Sequence, residues 1–279
     1  MKEPSHPSLK SASDYNLPEL AGFTNKAYQG YIVKIGFNTE LLADMLRKDS
    51  VKLSYSRVVL YHGKEVGIAL VARRGKANRL AAMAVEPESR GLGIGRYLTE
   101  QLLKEASIRK DRVFVLEVIE QNTVALQLYQ SLGFFTERRL VGYTGQNVHG
   151  ESYGKLIEVS TNDVAKFVRI HGLPNLPWQI SAETLALLKL PDRGYQLGPA
   201  YTIISDPAQS QITIKTLLVL PELRRQGWAT RLMKMLFVLY PNKRWNFPAV
   251  FPEELDSRLF EKLGFTRNPL TQLQMALKL

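Results

Sequence analysis

Apolar residues near the start of the chain follow two different spacings. They recur at helical spacing in residues 9–28 and 39–48. Residues 57–72, RVVLYHGKEVGIALVA, instead form two apolar runs around a His-Gly-Lys turn, which predicts a hairpin with strands over 57–61 and 65–72. RLAAMAVEP predicts a further strand that stops at its proline, because proline has no N–H to donate to a sheet.

Two helical patterns then enclose a strongly apolar segment. Apolar residues fall on one face of a helix that begins near Ile94. Residues 112–120, RVFVLEVIE, are nearly all apolar, as expected of a central strand buried on both faces. A second helix is predicted over 122–132, with Asn122 as its N-cap and Gly133 just beyond its end. The order of elements predicts an α/β fold, a mixed α+β sheet with helices on both sides.

Part of this pattern returns later in the chain. VLPELRRQGWATRLMKML repeats features of VEPESRGLGIGRYLTEQL, and LFEKLGF matches the earlier LYQSLGF. The two matches lie in slightly different registers, and agreement at several positions in both predicts an internal duplication. We expect one domain over 1–145 and another over 155–279. Residues 146–154, which are rich in Gly, Asn and Ser, are expected to form the linker.

Composition narrows the class of protein. A chain of 279 residues with 45% hydrophobic and 23% charged residues fits an ordinary globular protein of about two domains. It has no cysteine, which removes disulfides and thiol nucleophiles, and its four histidines show no metal-ligand spacing. We therefore expect no metal site. The sequence shows neither a signal-peptide pattern nor a long apolar run, so we expect a cytoplasmic protein without a membrane segment.

The chain is basic, with a net charge of +11 and a pI of about 9.7. Its positive excess is spread over both halves without a block of like charge. This even distribution argues against a nucleic-acid partner and is compatible with a polyanionic ligand.

A glycine-rich loop, VEPESRGLGIGR, lies between the third strand and the next helix. Gly91, Gly93 and Gly95 alternate between Arg90 and Arg96. The start of a helix offers unpaired N–H groups and a positive dipole, and glycines let these groups approach an anion. A phosphate-bearing ligand is predicted. The loop has Arg96 where the Walker pattern needs Lys and where the dinucleotide fingerprint needs its third Gly, so it is neither of those motifs.

The spacing V-x-P-x-x-R/Q-x-x-G-x-G/A does fit, at Val85, Pro87, Arg90, Gly93 and Gly95. It resembles the pyrophosphate loop of the GNAT acetyltransferases, which bind acetyl-CoA. LEVIEQN and ALQLYQSLGF follow in the family's order. The resemblance covers most of 1–145 and, more loosely, 155–279, and implies two tandem GNAT-like acyl-CoA N-acyltransferase domains.

The resemblance also implies a set of cofactor contacts in the first domain. The strand before the loop would hydrogen-bond the pantetheine arm, the loop would hold the pyrophosphate, and the N-cap of the following short helix would lie at the cofactor. These residues are Met83, Ala84, Val85, Arg90, Gly91, Leu92, Gly93, Ile94, Gly95, Arg96 and Asn122.

Two residues are candidates for proton transfer. By the same resemblance Tyr129 is the general acid that protonates the CoA thiolate, although it is also well placed to be a core aromatic residue. Glu117 lies in the apolar strand, where burial would raise its pKa and suit it to act as general base. A structural, salt-bridged carboxylate is the alternative for Glu117. Glu86 is the rival base, and a water chain without a single base also remains open.

The second copy departs from the first where the chemistry would occur. Phe260, Glu253 and Pro248 stand at the positions of Tyr129, Asn122 and Glu117. Phenylalanine has no proton to donate, so we expect a degenerate domain that serves as scaffold, substrate wall or homodimer surface. Arg224, Arg225 and Gly227 could still hold a phosphate, so residual CoA binding by this copy stays open.

We expect an N-acetyltransferase that moves an acetyl group from acetyl-CoA to a primary amine by direct attack, with the chemistry in the N-terminal domain. The acceptor, a small molecule or a peptide, is left open. The alternative is a non-catalytic acyl-CoA-binding or regulatory module. A nucleic-acid binder is a third hypothesis that rests only on the pI.

Overall fold

The computed structural model describes residues 6–33, 36–146, 148–255 and 258–279. The chain forms two compact units. The first consists of Met1–Val118, Asn122–Glu137 and Gln274–Leu279, and the second of Ile119–Gln121 and Arg138–Leu273.

The first unit is a mixed sheet with helices. Its helices are α1 (Leu17–Ala27), α2 (Thr39–Lys48), α3 (Ile94–Ile108) and α4 (Thr123–Ser131). Its strands are β1 (Ser8–Ser11), β2 (Arg57–Tyr61), β3 (Lys64–Arg74), β4 (Ala77–Val85), β5 (Val113–Ile119) and the C-terminal β13 (Gln272–Lys278). They lie in the order β1-β2-β3-β4-β5-β13. β4 and β5 are parallel, whereas β1 to β4 pair antiparallel. The predicted mixed α/β fold is confirmed.

The predicted helix over 9–28 begins later than expected. Residues 8–11 form β1 and residues 12–14 a 3-10 turn. Asn16 and Glu19 form a capping box that fixes the start of α1, since each side chain accepts a hydrogen bond from the other's backbone N–H. The prediction was wrong for 9–16 because this capping signal was overlooked.

The site is positioned by an irregularity in β4. The pairing with β3 shifts between Leu70 and Val71, which leaves Ala81 as a bulge. The parallel pairing of β4 with β5 then ends at Leu80 and Leu116, although both strands continue. The main chain of β4 beyond Leu80 is therefore not paired with β5.

β5 was predicted to be buried on both faces, and this is only partly right. Phe114, Leu116 and Val118 are buried, but the alternate residues are partly exposed. The nearly continuous apolar run therefore does not correspond to equal burial of its two faces.

The second unit repeats much of this arrangement. Its helices are α5 (Thr161–His171), α6 (Ala182–Ala186), α7 (Trp228–Leu239) and α8 (Leu259–Lys262). Its strands are β6 (Phe135–Gly145, from Arg138 onward), β7 (Ile157–Val159), β8 (Arg193–Leu197), β9 (Ala200–Ile204), β10 (Gln211–Val219), β11 (Arg244–Pro252) and β12 (Phe265–Arg267). The order is β6-β11-β10-β9-β8-β7, and β12 pairs with β6.

The irregularity of β4 has its counterpart in β10. The pairing of β10 with β9 shifts between Ile214 and Thr216, so the bulge falls at Lys215. Lys215 corresponds to Ala81 in the same sequence register that matches the two glycine loops. β10 also pairs with its parallel neighbour β11 only over Gln211–Thr213. The geometry thus repeats in the register that the sequence predicts for a duplication.

The compact units do not follow the predicted domain limits of 1–145 and 155–279 in full. Residues 138–145 group with the second unit and residues 274–279 with the first. Each unit thus includes a strand segment from the other half of the sequence, which local patterns could not indicate.

The predicted linker also carries contacts. In its described part, Glu151 pairs with Lys234 of α7 at 2.8 Å, and Val148 and Tyr153 pack against the core of the second unit. Asn147 lies outside the described residues. In the described part of the chain, no helix combines the length and apolarity needed to cross a membrane.

Candidate functional site

The glycine loop of the first unit depends on left-handed backbone. Gly91 and Gly93 both have φ of +79°, a conformation that favours glycine, and Gly93 is the N-cap of α3 without a side-chain cap. Because glycine has no side chain, no N-cap side chain accepts a hydrogen bond from the N–H groups at the start of α3. A Cβ on Gly95 would lie 3.6 Å from Leu128, which is an ordinary contact.

Arg90 fastens this loop to the end of α1. Its guanidinium donates to the carbonyl oxygens of Val85 at 2.9 Å, Ala27 at 3.1 Å and Gln29 at 2.6 Å. The guanidinium of Arg90 thus binds backbone carbonyl oxygens in this structure. Its contact with a phosphate remains a prediction.

Arg224 repeats this arrangement in the second unit. It donates to the carbonyl oxygens of Val219 at 3.1 Å and His171 at 3.2 Å. Ala27 and His171 are the last residues of α1 and α5, so the two helices correspond at their ends.

Arg96 and Leu92 lie at the surface of the loop. Arg96 donates to the Ser131 hydroxyl at 2.7 Å and lies 3.6 Å from Glu100, with about half of its side chain exposed. Leu92 is exposed, whereas Ile94, the first residue of α3, is buried. Arg96 is thus the loop arginine that remains accessible to an anion.

The main chain at the end of β4 alternates between two directions. The N–H of Glu86 donates to the carbonyl of Val66 at 2.8 Å, so Glu86 and, two residues earlier, Ala84 direct their main-chain groups toward β3. Met83 and Val85 direct theirs to the other side, where β5 is no longer paired. Backbone contacts to a pantetheine arm would therefore come from Met83 and Val85 rather than from Ala84.

Tyr129 lies inside the first unit, only 6% exposed. Burial raises its pKa well above that of an ordinary tyrosine, and the neighbouring Tyr28 and Tyr31 raise it further. The ring packs edge-on against Phe134 at 5.7 Å, and among the described residues no hydrogen-bond partner reaches the hydroxyl. Tyr129 therefore carries its proton at neutral pH.

Two more tyrosines belong to this site and were missed by the sequence analysis. Burial raises the pKa of Tyr28, and a backbone hydrogen bond links its phenol to Met83. The ring of Tyr31 lies 5.0 Å from that of Tyr28. Both follow α1, far before Tyr129 in the sequence, and no local motif marks them.

Asn122 connects the cap of α4 to this cluster. Its side-chain oxygen accepts from the N–H of Ala125 at 3.2 Å, which confirms the predicted N-cap, and its amide nitrogen lies 3.5 Å from the Tyr31 hydroxyl. Tyr28, Tyr31 and Tyr129 with Asn122 form what we call the phenol cluster.

Glu117 is buried in an ion pair. Its side chain is 2% exposed, and the Nε of Arg79 lies 2.7 Å from its carboxylate. Arg79 also binds Asp49 at 2.9 Å. The guanidinium compensates the buried negative charge. The observed pair corresponds to the alternative of a salt-bridged carboxylate, and Arg79 at the start of an apolar strand was the signal for it.

Glu86, the rival base, also has a cationic partner. Its carboxylate lies 2.8 Å from the ammonium of Lys26, and the hydrogen bond and charge of Glu86 raise the pKa of Lys26. Lys26 is exposed, whereas Glu86 is largely buried.

Comparison with known proteins finds a match to one protein domain and several similar proteins. Residues 54–135 match the family described as the acetyltransferase (GNAT) domain. A segment of 77 residues is 36% identical to a mycothiol acetyltransferase of Thermobispora bispora, and it covers 28% of this chain and 26% of that protein. The match therefore spans about a quarter of the length of that relative.

Two solved structures resemble nearly the whole chain. A GCN5-related N-acetyltransferase from Sphaerobacter thermophilus has a TM-score of 0.68 at 12% identity, covering 99% of this chain and 96% of that one. A tandem GNAT protein from the clavulanic acid biosynthesis pathway has a TM-score of 0.67 at 16% identity, covering 98% of each chain. At such identities the likeness concerns the fold alone. Residues 54–135 therefore match the GNAT acetyltransferase domain, and over nearly its whole length the chain has the fold seen in a tandem GNAT protein.

Proposed function

We propose that the first unit transfers an acetyl group from acetyl-CoA to a primary amine by direct attack. The observation that carries this proposal is the buried phenol of Tyr129, whose hydroxyl has no partner among the described residues, in the same unit as the glycine loop. The uncapped start of α3 and the accessible Arg96 fit a pyrophosphate, and the segment of β4 that is not paired with β5 fits a pantetheine arm.

The reaction follows from these groups. The amine nitrogen attacks the thioester carbon, and the carbonyl oxygen takes the electron pair of the C=O bond. The carbon–sulfur bond then breaks as the C=O bond re-forms, and Tyr129 donates its proton to the departing sulfur. The N–H group of Val85 is the proposed donor to the transient oxyanion.

The amine must also lose a proton, and Glu117 and Glu86 are the candidate bases. They differ in how firmly their cations hold them. Arg79 is buried and binds both Glu117 and Asp49, whereas Lys26, the partner of Glu86, has a largely exposed side chain. As the base, Glu117 would have to accept the proton while it is paired with Arg79. The exposed Lys26 constrains Glu86 less.

Release of free thiol from acetyl-CoA tests the proposal directly. The full chain is assayed with a panel of polyamines, amino acids, aminoglycosides and peptides with free N-termini. We expect at least one amine to raise thiol release above hydrolysis by water. If acetyl-CoA stabilises the protein but no amine releases thiol, the non-catalytic binding module is the better description. The match to the mycothiol acetyltransferase covers too little of that protein to select the acceptor.

A further inference from the structure

The second unit contains a cavity of about 760 Å³ at the place that corresponds to the phenol cluster. The end of β10, the loop that begins at Arg224, the start of α7 and Phe260 of α8 line it, and all lining residues belong to the second unit. The volume falls within the range of about 300–1,000 Å³ that is typical of ligand sites.

One difference between the copies lies beside this cavity. Because Arg90 binds the last residue of α1 and Arg224 binds the last residue of α5, the next residues correspond: Tyr28 in the first unit and Gly172 in the second. The phenol of Tyr28 reaches β4, where it hydrogen-bonds the backbone of Met83. Gly172 has no side chain, and a Cβ there would lie 2.5 Å from the carbonyl of Val168, so the position requires glycine.

The walls of the cavity are apolar. Leu173, Leu176, Leu217 and Phe251 line it together with Phe260, which stands where the first unit has Tyr129. Because Phe260 replaces Tyr129, the second unit has no phenol at this position that could donate a proton. A bound thioester would meet hydrocarbon there instead of an acid.

Positive charge lies beside these walls. Arg225 and Lys262 both line the cavity, and neither has an ion-pair partner within the described part of the chain. Glu254 also lines it, but Arg138 holds that carboxylate at 3.2 Å. The cavity therefore suits a ligand with an apolar tail and an anionic head.

We propose that the second unit binds, without transferring its acyl group, an acyl-CoA whose acyl chain is longer than acetyl. The chain occupies the apolar cavity, and the phosphates lie toward Arg225 and Lys262. The choice of CoA as carrier rests on the proposed function of the first unit, because the loop at 219–229 repeats that at 85–95.

Calorimetric titration of the full chain with acetyl-, butyryl-, hexanoyl- and octanoyl-CoA tests this. Each methylene that enters an apolar cavity is expected to tighten binding by about fourfold. We therefore expect a class of sites whose affinity rises steeply along the series. Affinity that does not change with chain length overturns the proposal, as does octanoate binding as tightly as octanoyl-CoA.

Variants assign the site to one unit. Leu217→Trp fills the cavity and is expected to weaken octanoyl-CoA binding at least tenfold, while acetyl transfer to an amine is unchanged. Met83→Trp, at the matching position of the first unit, should do the reverse. Leu173→Phe is the milder second variant if Leu217→Trp does not fold. Octanoyl-CoA binding that persists in the cavity variant but is lost in Met83→Trp places the chain in the first unit and refutes the inference.

The outcomes also separate the two proposals. Chain-length-dependent binding without thiol release from any amine removes the proposed transfer and leaves this site standing. Amine-dependent thiol release without chain-length-dependent binding supports the proposed transfer and removes this site.

Discussion

Individual side chains differ most between the two copies where protons would move. The first unit has Tyr28 and Tyr129 where the second has Gly172 and Phe260. Burial raises the pKa values of both phenols above that of an ordinary tyrosine, so both are protonated at neutral pH. The difference divides the copies into one with proton donors and one with an apolar cavity.

Replacing Tyr129 with Phe removes the proposed proton donor and keeps the ring. We expect turnover with an acceptor amine to fall roughly 10²-fold, because a general acid contributes about that much, with little change in acetyl-CoA binding. Steady-state kinetics and a binding titration measure the two effects. Phe260→Leu is the control, and it should lower stability and leave turnover unchanged, since Phe260 lies in the second unit and is buried against Tyr143. Full turnover in Tyr129→Phe would mean that another group protonates the sulfur.

Replacing Glu117 with Gln breaks a buried ion pair and leaves Arg79 with Asp49 alone. We expect the free energy of unfolding in urea to fall by about 2 kcal/mol, because Arg79 keeps Asp49 as its counter-charge but loses a buried, charge-assisted hydrogen bond. Glu158→Gln breaks an exposed pair of the same 2.7 Å length with Arg193, and its effect should stay below about 1 kcal/mol.

The same Glu117→Gln variant addresses the base when it is assayed beside Glu86→Gln. Turnover per folded molecule and its pH profile are compared at sub-saturating amine. A flattened pH limb in one variant assigns the base to that residue. Wild-type profiles in both would exclude both residues, and the limb would then report the ionisation of the amine itself.

Among the secondary-structure elements, β4, the glycine loop and α3 combine into one strand–loop–helix unit. Gly93 has a left-handed backbone, with φ of +79°, and open space where a Cβ would project. Its constraint is therefore conformational and not steric. Gly95 has no positive φ, and its counterpart Ala229 already carries a Cβ.

Gly93→Val is expected to abolish the rise in melting temperature that acetyl-CoA produces. A ligand at 100 times its Kd stabilises the folded state by about 2.7 kcal/mol, and that gain disappears if the loop cannot form. Gly95→Ala is the matched control and should keep the rise, because its Cβ meets nothing closer than 3.6 Å. An undiminished rise in Gly93→Val would remove the loop from the acetyl-CoA site. Thermal unfolding with and without acetyl-CoA measures both.

Asp111, just before β5, carries a prediction about how that strand is held in place. Burial raises its pKa, but hydrogen bonds from Arg73, Asn78 and Arg109 outweigh this effect and leave the pKa below its ordinary value of 3.8. A lowered folded-state pKa gives stability that is present above the unfolded value and is lost as the pH falls through the folded one. Urea unfolding should therefore show a loss of stability below about pH 4. Asp111→Asn should be less stable at neutral pH and flatter in that acid range, and an unchanged acid slope would contradict the prediction.

For the molecule as a whole, the first unit includes the last residues of the chain. Met275 and Ala276 of β13 are buried, and the N–H of Leu279 donates to the carbonyl of Arg112 at 3.1 Å. A Cβ on Gly133 would lie 3.4 Å from Leu277. The unit that carries the proposed chemistry therefore requires a strand that follows the second copy in sequence.

Met275→Ala should destabilise the first unit by about 2–5 kcal/mol, because Met275 is fully buried. Acetyl transfer should then be lost at a lower urea concentration than in the wild type, although the residue lies far outside the matched family domain. Lys278→Ala, at an exposed position of the same strand, is the control. If the activity of Met275→Ala resists urea like the wild type, the C-terminal strand is not part of the active unit.

Local patterns in the chain were sufficient to predict helices α1 to α4 and strands β2 to β5, but not β1. They also predicted the N-cap at Asn122, the glycine loop and the internal repeat that matches Arg224 to Arg90. These features depend on side-chain periodicity, backbone preference and capping, which act over a few residues and can be detected without knowing the fold. The late start of α1 belongs to the same class, because Asn16 and Glu19 already carried the signal.

Which distant residues meet could be read only from the folded chain. Folding pairs Glu117 with Arg79, places Tyr28 beside Met83 and near Tyr129, and exchanges strand segments between the two halves of the sequence. It also makes Gly172 correspond to Tyr28 and adjoin a cavity in the second unit. Contacts of this kind depend on sheet register, on where a parallel pair separates and on which side chain fills the gap. Those quantities are set by packing between segments far apart in the chain, so no local pattern specifies them.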